Sequence, residues 1–247
     1  MSGTPDPAAP GAAPGRIARI KRQLQEGAHA AVEPLVALLA RLGASADQLT
    51  IAGLVLSALS GFAFFEGHTR TGALMLMLAG LCDILDGELA RRAGLASRFG
   101  AFLDSTLDRL SEALVLLGIL GFYLRNLYAL VLHPERALLQ ISTGLEPLTW
   151  AVMAFTAALA LVGSFMVSYT RARAEGLGLD CKVGWFERPE RLVLLVVAGL
   201  LRVFWAMSAA LLLLAVLSFA TVAQRVAHVH RNTRRAGVDQ PGGQSDG

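Results

Sequence analysis

Asp83-Ile84-Leu85-Asp86-Gly87-Glu88-Leu89-Ala90-Arg91, followed after eight residues by Gly100-Ala101-Phe102-Leu103-Asp104-Ser105-Thr106-Leu107-Asp108, decides how this chain is read. The stretch sets four aspartates and two glycines inside segments that otherwise have the composition of membrane-spanning helix. An ionised side chain at the centre of a bilayer costs about 2.5–3.5 kcal/mol on insertion scales, so such groups are kept only where something compensates them. On helices, Asp83 and Asp86 share a face at a spacing of three, and Asp104 and Asp108 at a spacing of four. A tight turn centred on Gly94 makes the two helices antiparallel neighbours, and the four carboxylates converge one to two turns below one membrane surface. Few nearby cations are present to pair them all. Hard oxygen ligands at this density favour magnesium or manganese over zinc.

Outward from this stretch, the chain of 247 residues is 54% hydrophobic and 17% charged, well below the charge content of an ordinary soluble domain. Apolar segments fall at about 47–65, 71–91, 100–124, 148–169, 188–203 and 206–224. Most approach the ~20 residues a helix needs to cross the hydrocarbon core. The split between the last two rests on Arg202, and five spans ending in one long helix is the competing count. With six, one side of the membrane receives the N-terminal leader, Arg91, Arg92, Arg98, Arg171, Arg173, Lys182, Arg188, Arg191 and the basic tail from Arg225. The other receives Arg70, Arg125, Arg136 and Arg202, accompanied by Glu66, Glu135 and Glu146. The positive-inside rule then places both termini and the aspartates on the cytoplasmic side of the cell's inner membrane. The expected architecture is an all-α integral membrane protein of six transmembrane helices with a cytoplasm-facing active site. Residues 1–15 read as a flexible tail, 16–46 as a cytoplasmic or interfacial leader, 47–224 as the six-helix domain and 225–247 as a flexible tail. The net charge of +3 follows from this asymmetry and from anionic lipid; no basic–aromatic pattern points to nucleic acid. Cys82 and Cys181 read as small apolar fillers, and Trp150, Trp185 and Trp205 as interfacial anchors.

A second cluster of charge begins at Ser168-Tyr169-Thr170-Arg171-Ala172-Arg173-Ala174-Glu175 and continues through Lys182 to Glu187-Arg188-Pro189-Glu190-Arg191. Arg171, Arg173, Lys182, Arg188 and Arg191 meet at the cytoplasmic mouth, where guanidinium forks suit a phosphate. Their competing role is membrane anchoring with local pairing to Glu175, Glu187 and Glu190. Gly87 and Gly100 either let a ligand approach the helix backbone or pack helices closely with Ala90. Acids near one surface, flanking glycines and Arg91 favour metal-assisted phosphoryl transfer on a phosphate-bearing ligand. A cation-coupled transporter using the same acids is the reading from another class.

The stretch from Asp83 to Asp108 matches at every specified position the D-x2-D-G-x2-A-R-x8-G-x3-D-x3-D pattern of the CDP-alcohol phosphatidyltransferase family, which the chain resembles over about residues 35–224. The resemblance implies a six-helix membrane enzyme, usually a homodimer, that moves the phosphatidyl group of CDP-diacylglycerol to an alcohol and releases CMP. It implies that Asp83, Asp86, Asp104 and Asp108 bind metal, Mg2+ or Mn2+ and two ions, with Asp108 as the general base. It further implies that Gly87, Ala90, Arg91 and Gly100 line the nucleotide and CDP-lipid site. Ala46-Asp47-Gln48-Leu49-Thr50 resembles the family's Pro-Asn-x-x-Thr opening of the first span, with Ala and Asp replacing Pro and Asn and a helix-capping role left to Asp47. The second charge cluster is similar to that of bacterial phosphatidylinositol-phosphate synthases, which implies inositol 1-phosphate as the acceptor. Glycerol 3-phosphate, the acceptor of phosphatidylglycerophosphate synthases, is the alternative.

Overall fold

The structure is a computed structural model and describes residues 33–93, 97–133, 146–181, 183–184, 186–201 and 203–238. Among these residues it is all helical. The six principal helices are α1 (Ala46–Phe65), α2 (Thr69–Ala93), α3 (Arg98–Leu132), α4 (Pro147–Gly176), α5 (Arg188–Leu201) and α6 (Phe204–Val238).

Local chemistry sets the helix starts. Ser45 caps α1 through a reciprocal box: its hydroxyl accepts from the Gln48 amide N–H at 3.2 Å, and the Gln48 side chain accepts from the Ser45 N–H at 3.0 Å. Ser45 therefore takes the capping role expected of Asp47, which lies in the first turn, where an acid complements the helix dipole. Ser97 caps α3 by accepting from the Gly100 N–H at 2.9 Å. Pro147 opens α4, where its missing N–H costs no hydrogen bond. Gly67, at φ 83°, turns the chain from α1 into α2.

The helices pack as a ring, α1 against α3, α3 against α4, α4 against α6, α6 against α5, α5 against α2 and α2 back against α1. The expected direct packing of the second helix on the third is absent among the principal contacts, because α1 lies against both. Between α2 and α3 stand the aspartates, which favour a gap that a ligand or ion fills over helix-to-helix contact. The proposed turn at Gly94 lies outside the described residues.

At the opposite end the ring is closed tightly. A Cβ built on Gly118 of α3 would sit 2.0 Å from the Gly61 carbonyl oxygen of α1, so these helices touch backbone to backbone. Beside this contact Trp150 packs edge-on against Phe122 and Phe204, with centroids at 5.8 and 5.2 Å. Trp150 is 4% exposed, so it is a core residue rather than an interfacial anchor. Trp205 is exposed, and Trp185 lies outside the described residues.

Four helices, α1, α3, α4 and α6, are long and apolar enough to cross a membrane. Their outward faces expose Phe62, Leu117, Phe155 and Leu212, a surface that fits lipid rather than water. The 14 residues of α5 reach about 21 Å, short of the ~30 Å hydrocarbon core. The last helix runs past residue 224 to Val238, so Arg225 belongs to the bundle and not to a tail. A helical segment over residues 33–41 is docked: Val36 packs with Leu85 and Leu89 of α2, and Glu33 pairs with Arg92.

Candidate functional site

The third helix carries Asp104 and Asp108 on one face, and α2 presents Asp83 toward them. One carboxylate oxygen from each of these three residues lies within 4.8 Å of the others. Asp104 Oδ1 is buried and accepts no hydrogen bond, an orphaned acceptor that a bound cation would satisfy. Three hard oxygen donors around such an atom fit a divalent cation. Asp86 stands slightly apart, 5% exposed, with its Oδ2 accepting the Thr50 hydroxyl at 2.7 Å. It borders a narrow crevice with Asp83 and Asp108, and also the larger cavity that Asp104 lines.

That larger cavity, about 450 Å³, lies among the starts of α1 and α3 and the end of α2, and Asp47, Gly87, Ala90, Arg91 and Gly100 line it. A Cβ on Gly87 would meet only the Arg91 guanidinium, at 3.6 Å, and one on Gly100 only the Ser97 hydroxyl, at 3.1 Å. Neither glycine therefore brings another helix close, and their small size leaves room in the cavity instead. Arg91 folds back onto Glu88 at 2.7 Å.

On the other side of the aspartates is a second cavity, about 200 Å³, lined by Asp108, Arg109, Glu112, Ser168, Arg171, Arg188, Arg191 and Arg225. Its cations are held in different ways. Arg191, with a side chain 2% exposed, grips Glu112 with both arms of its fork at 2.5 and 2.8 Å. The bidentate pair ties α5 to α3. Arg225 donates to the carbonyls of Val183, at 2.9 Å, and Val167. Arg171 pairs with Glu175 at 2.9 Å. Arg188 bridges Asp83 and Asp108, at 2.8 Å from each.

Of the five cations expected at a phosphate site, Arg171, Arg188 and Arg191 meet in this cavity. Arg173 is exposed and does not line it, and Lys182 lies outside the described residues. Arg109, Glu112 and Arg225 are additional members. Glu112 was legible as the third acid of the helical series 104, 108, 112 inside an apolar run. Arg225 sits just past the last long apolar run, where a cation reads equally well as membrane flank.

Comparison with known proteins agrees with this geometry. The profile of the CDP-alcohol phosphatidyltransferase family matches residues 44–223. The chain is 38% identical to the archaetidylinositol phosphate synthase of Methanothermobacter thermautotrophicus, over 76% of this chain and 85% of that protein. It is 33% identical to the phosphatidylinositol phosphate synthase of Mycobacteroides abscessus, over 78% and 80%. Among solved structures, the phosphatidylinositol phosphate synthase of Mycobacterium tuberculosis in complex with manganese and citrate superposes with a TM-score of 0.65 and 32% identity, covering 80% of this chain and 88% of that one. The same enzyme with CDP-diacylglycerol bound gives a TM-score of 0.64 at 32% identity, covering 79% and 92%. With its unbroken aspartate pattern, its match over most of its length and these relatives, the chain belongs to the CDP-alcohol phosphatidyltransferase family of membrane enzymes.

Proposed function

We propose that this enzyme transfers the phosphatidyl group of CDP-diacylglycerol to inositol 1-phosphate and releases CMP. One observation carries the reading: the aspartates stand between two cavities of opposite character, a glycine-lined one reaching Asp104 and an arginine-lined one reaching Asp108. The names of the similar synthases share inositol phosphate and differ in the lipid.

In this reading Gly87, Ala90, Arg91 and Gly100 receive the cytidine diphosphate end of the lipid. Asp83, Asp104 and Asp108, with Asp86 beside them, hold divalent ions, two of Mg2+ or Mn2+. When bound, such ions neutralise the diphosphate and polarise its phosphorus. Arg171 and Arg188 bind the acceptor's phosphate, while Arg191 and Arg225 shape the cavity from positions fixed by Glu112 and backbone carbonyls. Asp108, on the acceptor side, takes the proton of the attacking hydroxyl. The new bond forms between that oxygen and the lipid-side phosphorus. The bond from this phosphorus to the CMP oxygen breaks, and CMP leaves with the electron pair.

The same reading has α2 and α5 complete six spans, α5 starting at the depth of Asp83 and Asp108, where Arg188 meets them, rather than at the membrane surface; both termini and the site face the cytoplasm across the inner membrane. The surplus of arginine at the aspartate end supports it, as does the Arg125–Glu66 pair, 2.9 Å, which neutralises charge at the other end. A homodimer, the form implied by the resemblance, belongs to the same reading, and cross-linking in membranes tests it. The deciding assay supplies purified protein with CDP-diacylglycerol and magnesium, and offers inositol 1-phosphate or glycerol 3-phosphate separately. CMP release that depends on inositol 1-phosphate is expected. Release with glycerol 3-phosphate alone keeps the chemistry and replaces the acceptor.

A further inference from the structure

Arg188 begins α5, far along the chain from the aspartates, yet its Nη1 lies 2.8 Å from Asp83 Oδ2 and 2.8 Å from Asp108 Oδ1. Both partners belong to the carboxylate triad. The same side chain borders the crevice at Asp83, Asp86 and Asp108 and the arginine-lined cavity. The other arginines of that cavity bond elsewhere: Arg191 to Glu112, Arg225 to the carbonyls of Val183 and Val167, Arg171 to Glu175 and Arg109 to the Ser105 carbonyl. Arg188 alone among these bonds is spent on acids that the proposed reaction uses.

We propose that Arg188 is a positioning residue that couples the two halves of the site. It holds Asp83 and Asp108 together until a divalent ion claims their oxygens, and its guanidinium then turns into the adjoining cavity, where it meets the acceptor's phosphate. The inference rests on the metal and acceptor sites of the preceding section. A guanidinium and a divalent ion compete for the same carboxylates and repel one another. An oxyanion that draws the guanidinium away removes the competitor, so it tightens ion binding. By linkage the ion tightens oxyanion binding by the same factor. The acceptor cavity thus gains its mobile cation as the aspartates are loaded, and each ligand favours the binding of the other.

The test measures Mn2+ affinity of the purified full chain by electron paramagnetic resonance, without substrate. Sulfate is the oxyanion probe, against chloride at equal ionic strength. In the unaltered protein sulfate is expected to lower the Mn2+ Kd about tenfold, within the range usual for coupled sites. Arg188→Gln is expected to bind Mn2+ more tightly without sulfate and to lose the response to sulfate. Arg173→Gln removes an exposed cation that does not line the cavity, and its Mn2+ affinity without sulfate should stay within about twofold of the unaltered protein. Arg188→Lys keeps the charge but not the fork; it should weaken the sulfate response, and it decides the matter if Arg188→Gln does not fold. A sulfate response that survives in Arg188→Gln, or that is undiminished in Arg188→Lys, overturns the coupling alone. So does a tightening in Arg173→Gln as large as in Arg188→Gln. Absence of Mn2+ binding, or binding that Asp104→Asn leaves intact, overturns the metal site itself and the coupling with it.

Discussion

The two halves of α3 solve opposite problems with the same helix. Its first half, through Asp104, Asp108 and Glu112, faces cavities and meets α5 through ion pairs. Its second half, through Gly118 and Tyr123, meets α1 backbone to backbone and closes on an aromatic cluster. The packed half is held mainly by dispersion contacts, whereas the polar half keeps cavities open beside its charges. Substitutions at the two ends should therefore fail in different ways: loss of chemistry with the fold intact at one, loss of stability with the chemistry intact at the other.

The sharpest separation is expected from Asp108→Asn, which removes the proposed proton acceptor and a carboxylate of the triad. CMP release should fall about 10³-fold, in the range for loss of a general base, with little change in the melting temperature of the detergent-solubilised protein. A loss below tenfold would deny Asp108 the role of base.

Glu112→Ala breaks the comparison usefully, because it should destabilise the polar half. Arg191 would remain buried with its principal partner gone, and such a broken pair costs about 3–5 kcal/mol. Unfolding in denaturant measures it. An unchanged midpoint would mean that the Arg191–Glu112 pair does not hold α5 to α3.

Gly118→Ala tests the packed half. Its new methyl would overlap the Gly61 carbonyl, forcing α1 and α3 apart at a cost of about 1–3 kcal/mol. The kcat of the folded fraction should match that of the unaltered enzyme. If kcat falls while stability holds, the two ends are not independent.

The smallest effect is expected from Gly87→Leu. A Cβ there meets no neighbouring helix and the longer side chain would intrude on the larger cavity, so stability should hold while KM for CDP-diacylglycerol rises about tenfold, or ~1.4 kcal/mol of binding. A fall in stability without a change in KM would return Gly87 to a packing role.

Helix starts were legible because they coincide with caps and with the onset of apolar sequence. Segments expected from 47, 100, 148 and 206 begin at Ala46, Arg98, Pro147 and Phe204. Helix ends were less legible: 124, 169 and 224 became Leu132, Gly176 and Val238. An apolar run measures the thickness of hydrocarbon, while backbone hydrogen bonding continues past it into polar residues. Trp150 misled for a related reason, since an indole suits both a membrane interface and a core. The aspartates were legible because acids in apolar sequence are costly, and four at helical spacing leave few explanations.

By itself the sequence determined that this chain builds membrane helices, that acids from two of them face a common space, and that the chain carries the family's reaction pattern. Those properties follow from composition and from the 3.6-residue period, which act over a few turns. Only the tertiary structure decided which arginine serves which acid. Arg188 and Asp83 lie on helices that meet through the packing of α5 on α2, and Arg191 reaches Glu112 from α5 to α3. The pairing of a guanidinium depends on which carboxylate lies within its reach, and helix packing, not chain order, sets that distance.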